Sequence, residues 1–340
     1  MVRWPQQALR LVRRSPAGDP RQSGGIGPVV GLILPVALAG WALLSHPAAP
    51  GGAAMAGLVI AGMVAWIVGA LIARASPVVL GVGVALVIGI AIVGALPASL
   101  RGGPTAPPLG YANANAALMT AAVAGLLCAA SATRSANRPW LVATAVGFTV
   151  ASIVGGSRAG AVTCVLLLVL WPLLSLGGTW FWQLVSGLVL VTGFSVTVGL
   201  GLTQDPQQPP ALLTGSLSEV RLSLWSDALE LAKDHPILGV GPGNLARDSA
   251  IARSDPDLAW AHSAPLQTLA ELGGIGLVLL AAVVGWMIWR LGRASVVLAV
   301  MALQPMVDYV LDFPLVVVLF ALVFGGLTVS DVGGRQPRPG

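Results

Sequence analysis

Apolar stretches of membrane-spanning length recur along this chain, separated by short turns rich in glycine, proline and single arginines. A helix that crosses a bilayer needs roughly 20 mostly apolar residues. By that measure residues 28–45, 53–73, 77–97, 112–132, 140–156, 159–176, 180–202, 271–289, 294–311 and 313–330 are candidate spans. The last two form the least regular hairpin, because Asp308, Asp312 and Pro314 crowd its turn. One long polar segment, 203–262, interrupts the series. Within it SLSEVRLSLWSDALELAKDHP has the spacing of an amphipathic helix. Ser216 or Ser218 can cap it, Glu230 and Lys233 are three apart, and Pro236 stops it. Arg221 and Trp225, four apart, share a face. The pattern predicts an all-α, polytopic integral-membrane bundle of about ten transmembrane helices, with one large outer loop containing an amphipathic helix.

Composition agrees with the pattern. Hydrophobic residues make up 56% of the chain and charged residues 9%, against about 25% charged in a soluble domain. So few charges cannot clothe a water-soluble surface, which excludes a soluble globular enzyme. The net charge of +5 comes from basic residues scattered between apolar runs, so no nucleic-acid partner is expected. Cys128 and Cys164 lie inside apolar runs, which argues against a disulfide framework or a zinc cluster. An inside N-terminus with ten alternating spans leaves 12 of the 18 Lys+Arg on the inner side. Four of the other six fall in the long loop, where charge has little influence on orientation. The chain then divides into a cytoplasmic basic arm (1–27), seven spans (28–202), an extracytoplasmic loop (203–262), three spans (263–330) and a cytoplasmic tail (331–340).

A few polar residues invite a chemical reading. Arg158, in GGSRAG with Ser157 as the cap, brings a cation to a helix N-terminus and so opposes the macrodipole. It either snorkels to lipid phosphates or holds an anionic substrate. Arg221 is solvated or stacked on tryptophan, or else it clamps a pyrophosphate with Arg158. His262 precedes the re-entry of the chain into the membrane. A helix N-terminus disfavours imidazolium, which suits the ring to accept a proton. His46 and His235 sit beside prolines and read as structural. GVGPGN (239–244) and Asp255-Pro-Asp257 read as turns, since neither has the spacing of a nucleotide or metal motif. Asn113 and Asn115 are caps by default. Asp308 and Asp312 could pair with an arginine across the bundle, or Asp312 could cap the following span.

These pieces stand in a familiar order. GYANANAA (110–117), GGSRAG (155–160), RLSLWSDALELAKDHPILGVGPGN (221–244), AHSAPLQTLAELGGIG (261–276) and DFPL (312–315) resemble the O-antigen ligase and polymerase family of membrane glycosyltransferases. The resemblance covers roughly residues 110–325. It implies transfer of a glycan from an undecaprenyl-pyrophosphate carrier to an acceptor hydroxyl, on the outer face of the cytoplasmic membrane, without metal or other cofactor. Arg158 and Arg221 match the arginines taken to hold the pyrophosphate. His262 matches the histidine taken to activate the acceptor, although Ser263 follows it where members commonly carry Asn. Asn113, Asn115, Trp225, Gln267 and Asp312 are candidate substrate-binding positions in the matched segments. The implied partners are a lipid-linked glycan donor, a glycan or glycolipid acceptor and membrane lipids, and a monomer is expected. The first outer loop, SHPAAPGG, has no acid, which favours metal-free chemistry, and attack opposite the leaving group predicts inversion at the sugar. The rival readings are a transporter of a small anion or glycolipid, and a scaffold of a polysaccharide assembly complex. No span centre carries the charge that a transporter would need.

Overall fold

The computed structural model describes residues 27–100, 108–133, 136–203, 219–254 and 258–330. The N-terminal arm, the C-terminal tail, Ser216, Ser218 and Asp255-Pro-Asp257 lie outside the described residues. Helices α1 (Gly27–Leu44), α2 (Gly52–Ala75), α3 (Pro77–Leu100), α4 (Ala112–Ala132), α5 (Arg138–Val154), α6 (Arg158–Leu173) and α7 (Thr179–Thr203) follow the first seven apolar runs. The amphipathic α8 (Glu219–Asp234) and the short α9 (Leu245–Asp248) come next, then α10 (Ala264–Leu291), α11 (Ser295–Val307) and α12 (Pro314–Leu327). No strand occurs among the described residues. Four stretches, Gly52–Ala75, Ala112–Ala132, Thr179–Leu202 and Ala264–Val307, are long and apolar enough to cross a membrane, and the remaining apolar helices are shorter.

The bundle is built around α4. Its span is 94% buried, against 17% for those of α2 and α7. The sequence ANANAALMTAAVAGLLCAASA explains this, because alanine and glycine let neighbouring backbones come close. A Cβ on Gly81 of α3 would overlap the Gly125 carbonyl of α4. The α2–α12 pair uses the same device, with Gly69 against the Leu322 carbonyl and Gly325 against that of Trp66. The outward faces carry Ile33, Leu71, Leu86, Ile90, Leu188 and Val278, all exposed. Apolar surface of this extent belongs against lipid rather than water. Inside, Gln304 of α11 donates to Thr120 of α4 (2.8 Å) and Thr163 of α6 (2.6 Å). These interhelical bonds tie three helices together where no water is at hand.

Two boundaries differ from the sequence reading, and both shape the site. The eighth apolar run starts at Ala264, not at residue 271, because the polar Gln267 and Glu271 face the protein in the first turns of α10. At Gly273 (φ 67°, ψ −168°) α10 breaks its helical path. The carbonyls of Ala270 and Glu271 then accept the N–H groups of Val240 and Gly241, each at 2.9 Å, and Gly274 donates to the Pro236 carbonyl at 2.8 Å. The glycine-rich run 239–244 is therefore a turn that satisfies the backbone of a broken helix. A Cβ on Gly239 (φ 71°) would strike the Glu271 carbonyl. Gly51 donates to Pro242 (3.0 Å), which fastens the α1–α2 corner to the same end. The ninth run stops at Val307 rather than 311. Pro305 supplies no N–H to the preceding turn, and Asp308 is extended (φ −157°, ψ 167°).

Close backbone packing makes a simple prediction. Gly69→Leu, which would collide with the Leu322 backbone, lowers the melting temperature of the detergent-solubilised protein, at a cost of about 1–3 kcal/mol. Gly83→Leu, with open space around it, leaves the melting temperature unchanged.

Candidate functional site

The corner between α11 and α12 holds the site. Asp308 is 1% exposed, and five groups from four parts of the chain donate to its carboxylate. The Tyr111 hydroxyl lies 2.7 Å from each oxygen. Asn113 Nδ2 donates to Oδ2, and the Tyr309 N–H reaches Oδ1 at 2.8 Å. Arg221 makes an ion pair with Oδ2 at 3.1 Å, and His262 Nδ1 lies 3.2 Å from Oδ1. Burial by itself would push the Asp308 carboxyl up. The His262 hydrogen bond, the Arg221 guanidinium and the Tyr111 hydroxyl outweigh burial and hold it below the usual carboxylate range. Burial and the nearby Asp308 charge push the Tyr111 phenol up, so it remains a donor.

Local folding delivers each partner. Leu222, Leu224, Trp225 and Ala228 form the buried face of α8, and the helix packs on α7 and α10. That docking leaves Arg221 at the helix edge, facing the corner. Trp225 is fully buried, and its indole N–H donates to the His262 carbonyl at 3.3 Å. His262 has φ 51°, the one positive φ at a non-glycine among the described residues. Such a conformation costs of order 1–3 kcal/mol and persists only where its surroundings enforce it. Here the Trp225 bond, the Asp308 bond and an edge-on contact with Tyr309 (4.5 Å between ring centres) enforce it. An ionised Asp308 only accepts, so Nδ1 carries the proton in this bond. Nε2 of a neutral ring is then the atom left to accept one.

The other sequence candidates occupy distinct positions. Arg158 is the first residue of α6 and is exposed, and Ser157 caps the helix by accepting from Gly160 N–H at 3.1 Å. Gly160 lies against Ala116 of α4, so the start of α6 sits at the end of the bundle that holds Asn113. Asn115 is buried, and its Oδ1 accepts from Leu109 N–H at 3.0 Å, pinning the turn that carries Tyr111. Gln267 bonds the buried Glu271 on α10. Asp312 bonds Trp260. Arg221, His262 and Asn113 thus meet on one carboxylate, while Trp225 and Asn115 support its surroundings.

Sequence reasoning named Asp308 only as an acid able to pair with an arginine, and did not single out Tyr111, Tyr309 or Trp260. These rings stack beside the carboxylate: Trp260 on Tyr309 (4.9 Å, 7° between planes), Tyr309 on Tyr111 (4.7 Å), and Tyr111 on Phe313 (5.9 Å, 5°). A usable signal was present, since the chain has only 2 tyrosines and both stand here. The cluster combines a cation able to bind an anion, an oriented imidazole and a flat aromatic wall.

The buried carboxylate predicts a stability effect of known sign. Asp308→Ala leaves Arg221 and His262 without their partner and costs about 3–5 kcal/mol in thermal unfolding, whereas Asp308→Asn, which still accepts, costs less. Because the folded-state pKa is depressed, the stabilisation by Asp308 is complete above about pH 4. It is lost as the pH falls through the folded value. Melting temperatures measured across that acid range should converge for the wild type and Asp308→Asn.

Comparison with known proteins adds a partial family match. No curated protein matches the chain significantly. Residues 140–281, which contain Arg158, Arg221, Trp225 and His262, match the family model described as O-antigen ligase.

Proposed function

We propose that this multi-pass membrane protein transfers a glycan from a polyprenyl-pyrophosphate carrier to an acceptor hydroxyl at the outer face of the cytoplasmic membrane. In this reading the ten apolar helices all span, and both termini are inside. The family supports glycan transfer of the O-antigen ligase or polymerase type. The observation that carries the reading to residues is the single carboxylate of Asp308 joining Arg221 and His262.

A sugar bound through pyrophosphate already has a good leaving group. Two tasks remain: to neutralise charge on the departing diphosphate, and to take the proton from the attacking hydroxyl. Arg221, with Arg158 from the neighbouring helix start, serves the first. Removal of such a fixed electrostatic contact typically costs about 10²–10³ in rate. Nε2 of His262 serves the second, worth about 10²–10⁴. Asp308 positions both by fixing the guanidinium and the imidazole tautomer. Trp225 acts through the His262 backbone. Attack opposite the leaving group inverts the anomeric carbon. The balance is complete: the hydroxyl oxygen bonds to the anomeric carbon, its proton passes to His262, and the pyrophosphate leaves with the electron pair of the broken bond.

Two measurements test this reading. In membrane vesicles supplied with a lipid-linked glycan donor, His262→Ala and Arg221→Ala should each abolish transfer while the protein accumulates normally. Full activity in either variant removes the mechanism. For the topology, a cysteine introduced by His235→Cys should react with a membrane-impermeant maleimide on intact spheroplasts, and one introduced by Arg138→Cys only after permeabilisation.

A further inference from the structure

A cavity runs through the bundle between α2 and α10. Its volume is about 540 Å³, and α1, α2, α10, α11 and α12 line it with apolar side chains such as Leu38, Trp66, Trp286 and Phe320. Along α2 its wall runs from Leu58 to Arg74, roughly 24 Å at 1.5 Å per residue. One leaflet of a bilayer core is about 15 Å deep, so the cavity can take a whole acyl chain. Its only charged lining residues are Arg74 and Arg290. They occupy the last turns of α2 and α10. The opposite ends of these helices meet Pro242 and His262, so the two arginines mark the far end of the bundle from the candidate site.

Among the described residues no acid answers them there. Among the described residues the acids lie on α8, on the segment after it, in the first turns of α10 or in the corner holding Asp308 and Asp312. Neither arginine takes part in an ion pair among those residues. An apolar slot whose charged mouth is purely cationic complements an amphiphile with an anionic head, and basic pockets between helices on the cytoplasmic side bind such headgroups. We infer that this cavity is a binding site for an anionic phospholipid of the inner leaflet, with its phosphate on Arg74 and Arg290 and an acyl chain between α2 and α10. This site is separate from the transfer chemistry, and its test involves no glycan.

The purified protein is titrated in detergent with phosphatidylglycerol or phosphatidylcholine, and binding is read by native mass spectrometry and melting temperature. Phosphatidylglycerol should bind the wild type roughly 10- to 30-fold more tightly than phosphatidylcholine. The double variant Arg74→Gln/Arg290→Gln should lose that preference while still binding phosphatidylcholine. Gly62→Leu, which adds bulk to the cavity wall, should weaken both lipids and leave the wild-type arginines in place. Equal affinity of the two lipids for the wild type, or an unchanged preference in the double variant, overturns the proposal. So does displacement of phosphatidylglycerol by an equimolar polyprenyl phosphate, which would assign the cavity to the carrier tail.

Discussion

A single ionised carboxylate, buried at the corner between two helices, organises this end of the molecule. Asp308 can stay charged only because five donors surround it. The five donors arrive on four devices. Tyr111 and Asn113 come from the turn and first residues of α4, Arg221 from the docked amphipathic helix, His262 from a strained residue before α10, and Tyr309 from the corner itself. Removal of any one device leaves the carboxylate partly unsatisfied in a low-dielectric setting, where such a deficit is costly. The site and the packing of the bundle end are thus one problem with one solution.

The same logic explains the glycine-rich run after α8. A helix broken at Gly273 frees carbonyls that lipid cannot satisfy. The run 239–244 supplies the missing N–H groups, and its glycines permit the backbone approach. This arrangement sets where α10 starts, and so where His262 stands. A motif that looks like a ligand loop is a splint for the helix that carries the imidazole.

Much of the fold was legible in the hydropathy pattern, since helices followed all ten apolar runs within a few residues. The exceptions were informative. Gln267 and Glu271 hid the true start of α10, because a hydropathy count takes polar residues as the end of a helix even when they face protein. Asp308 lay inside an apolar run and was counted as span, although the chain leaves the helix there. Arg221 and His262 stood out because charge and imidazole are rare in such a sequence. Tyr111, Tyr309 and Trp260 did not, because aromatic residues near helix ends have ordinary reasons to be there.

What the sequence determined alone was the solvent: so few charges and such long apolar runs can only fold into helices that satisfy their own backbone in lipid. It also determined which residue types were available for chemistry. What the tertiary structure decided was their meeting. Residues 111, 221, 262 and 308 are far apart in the chain, and no periodicity links them. Only the docking of α8 and the two broken helix ends bring their side chains onto one carboxylate, because the cost of burying that charge selects the packing in which every donor arrives.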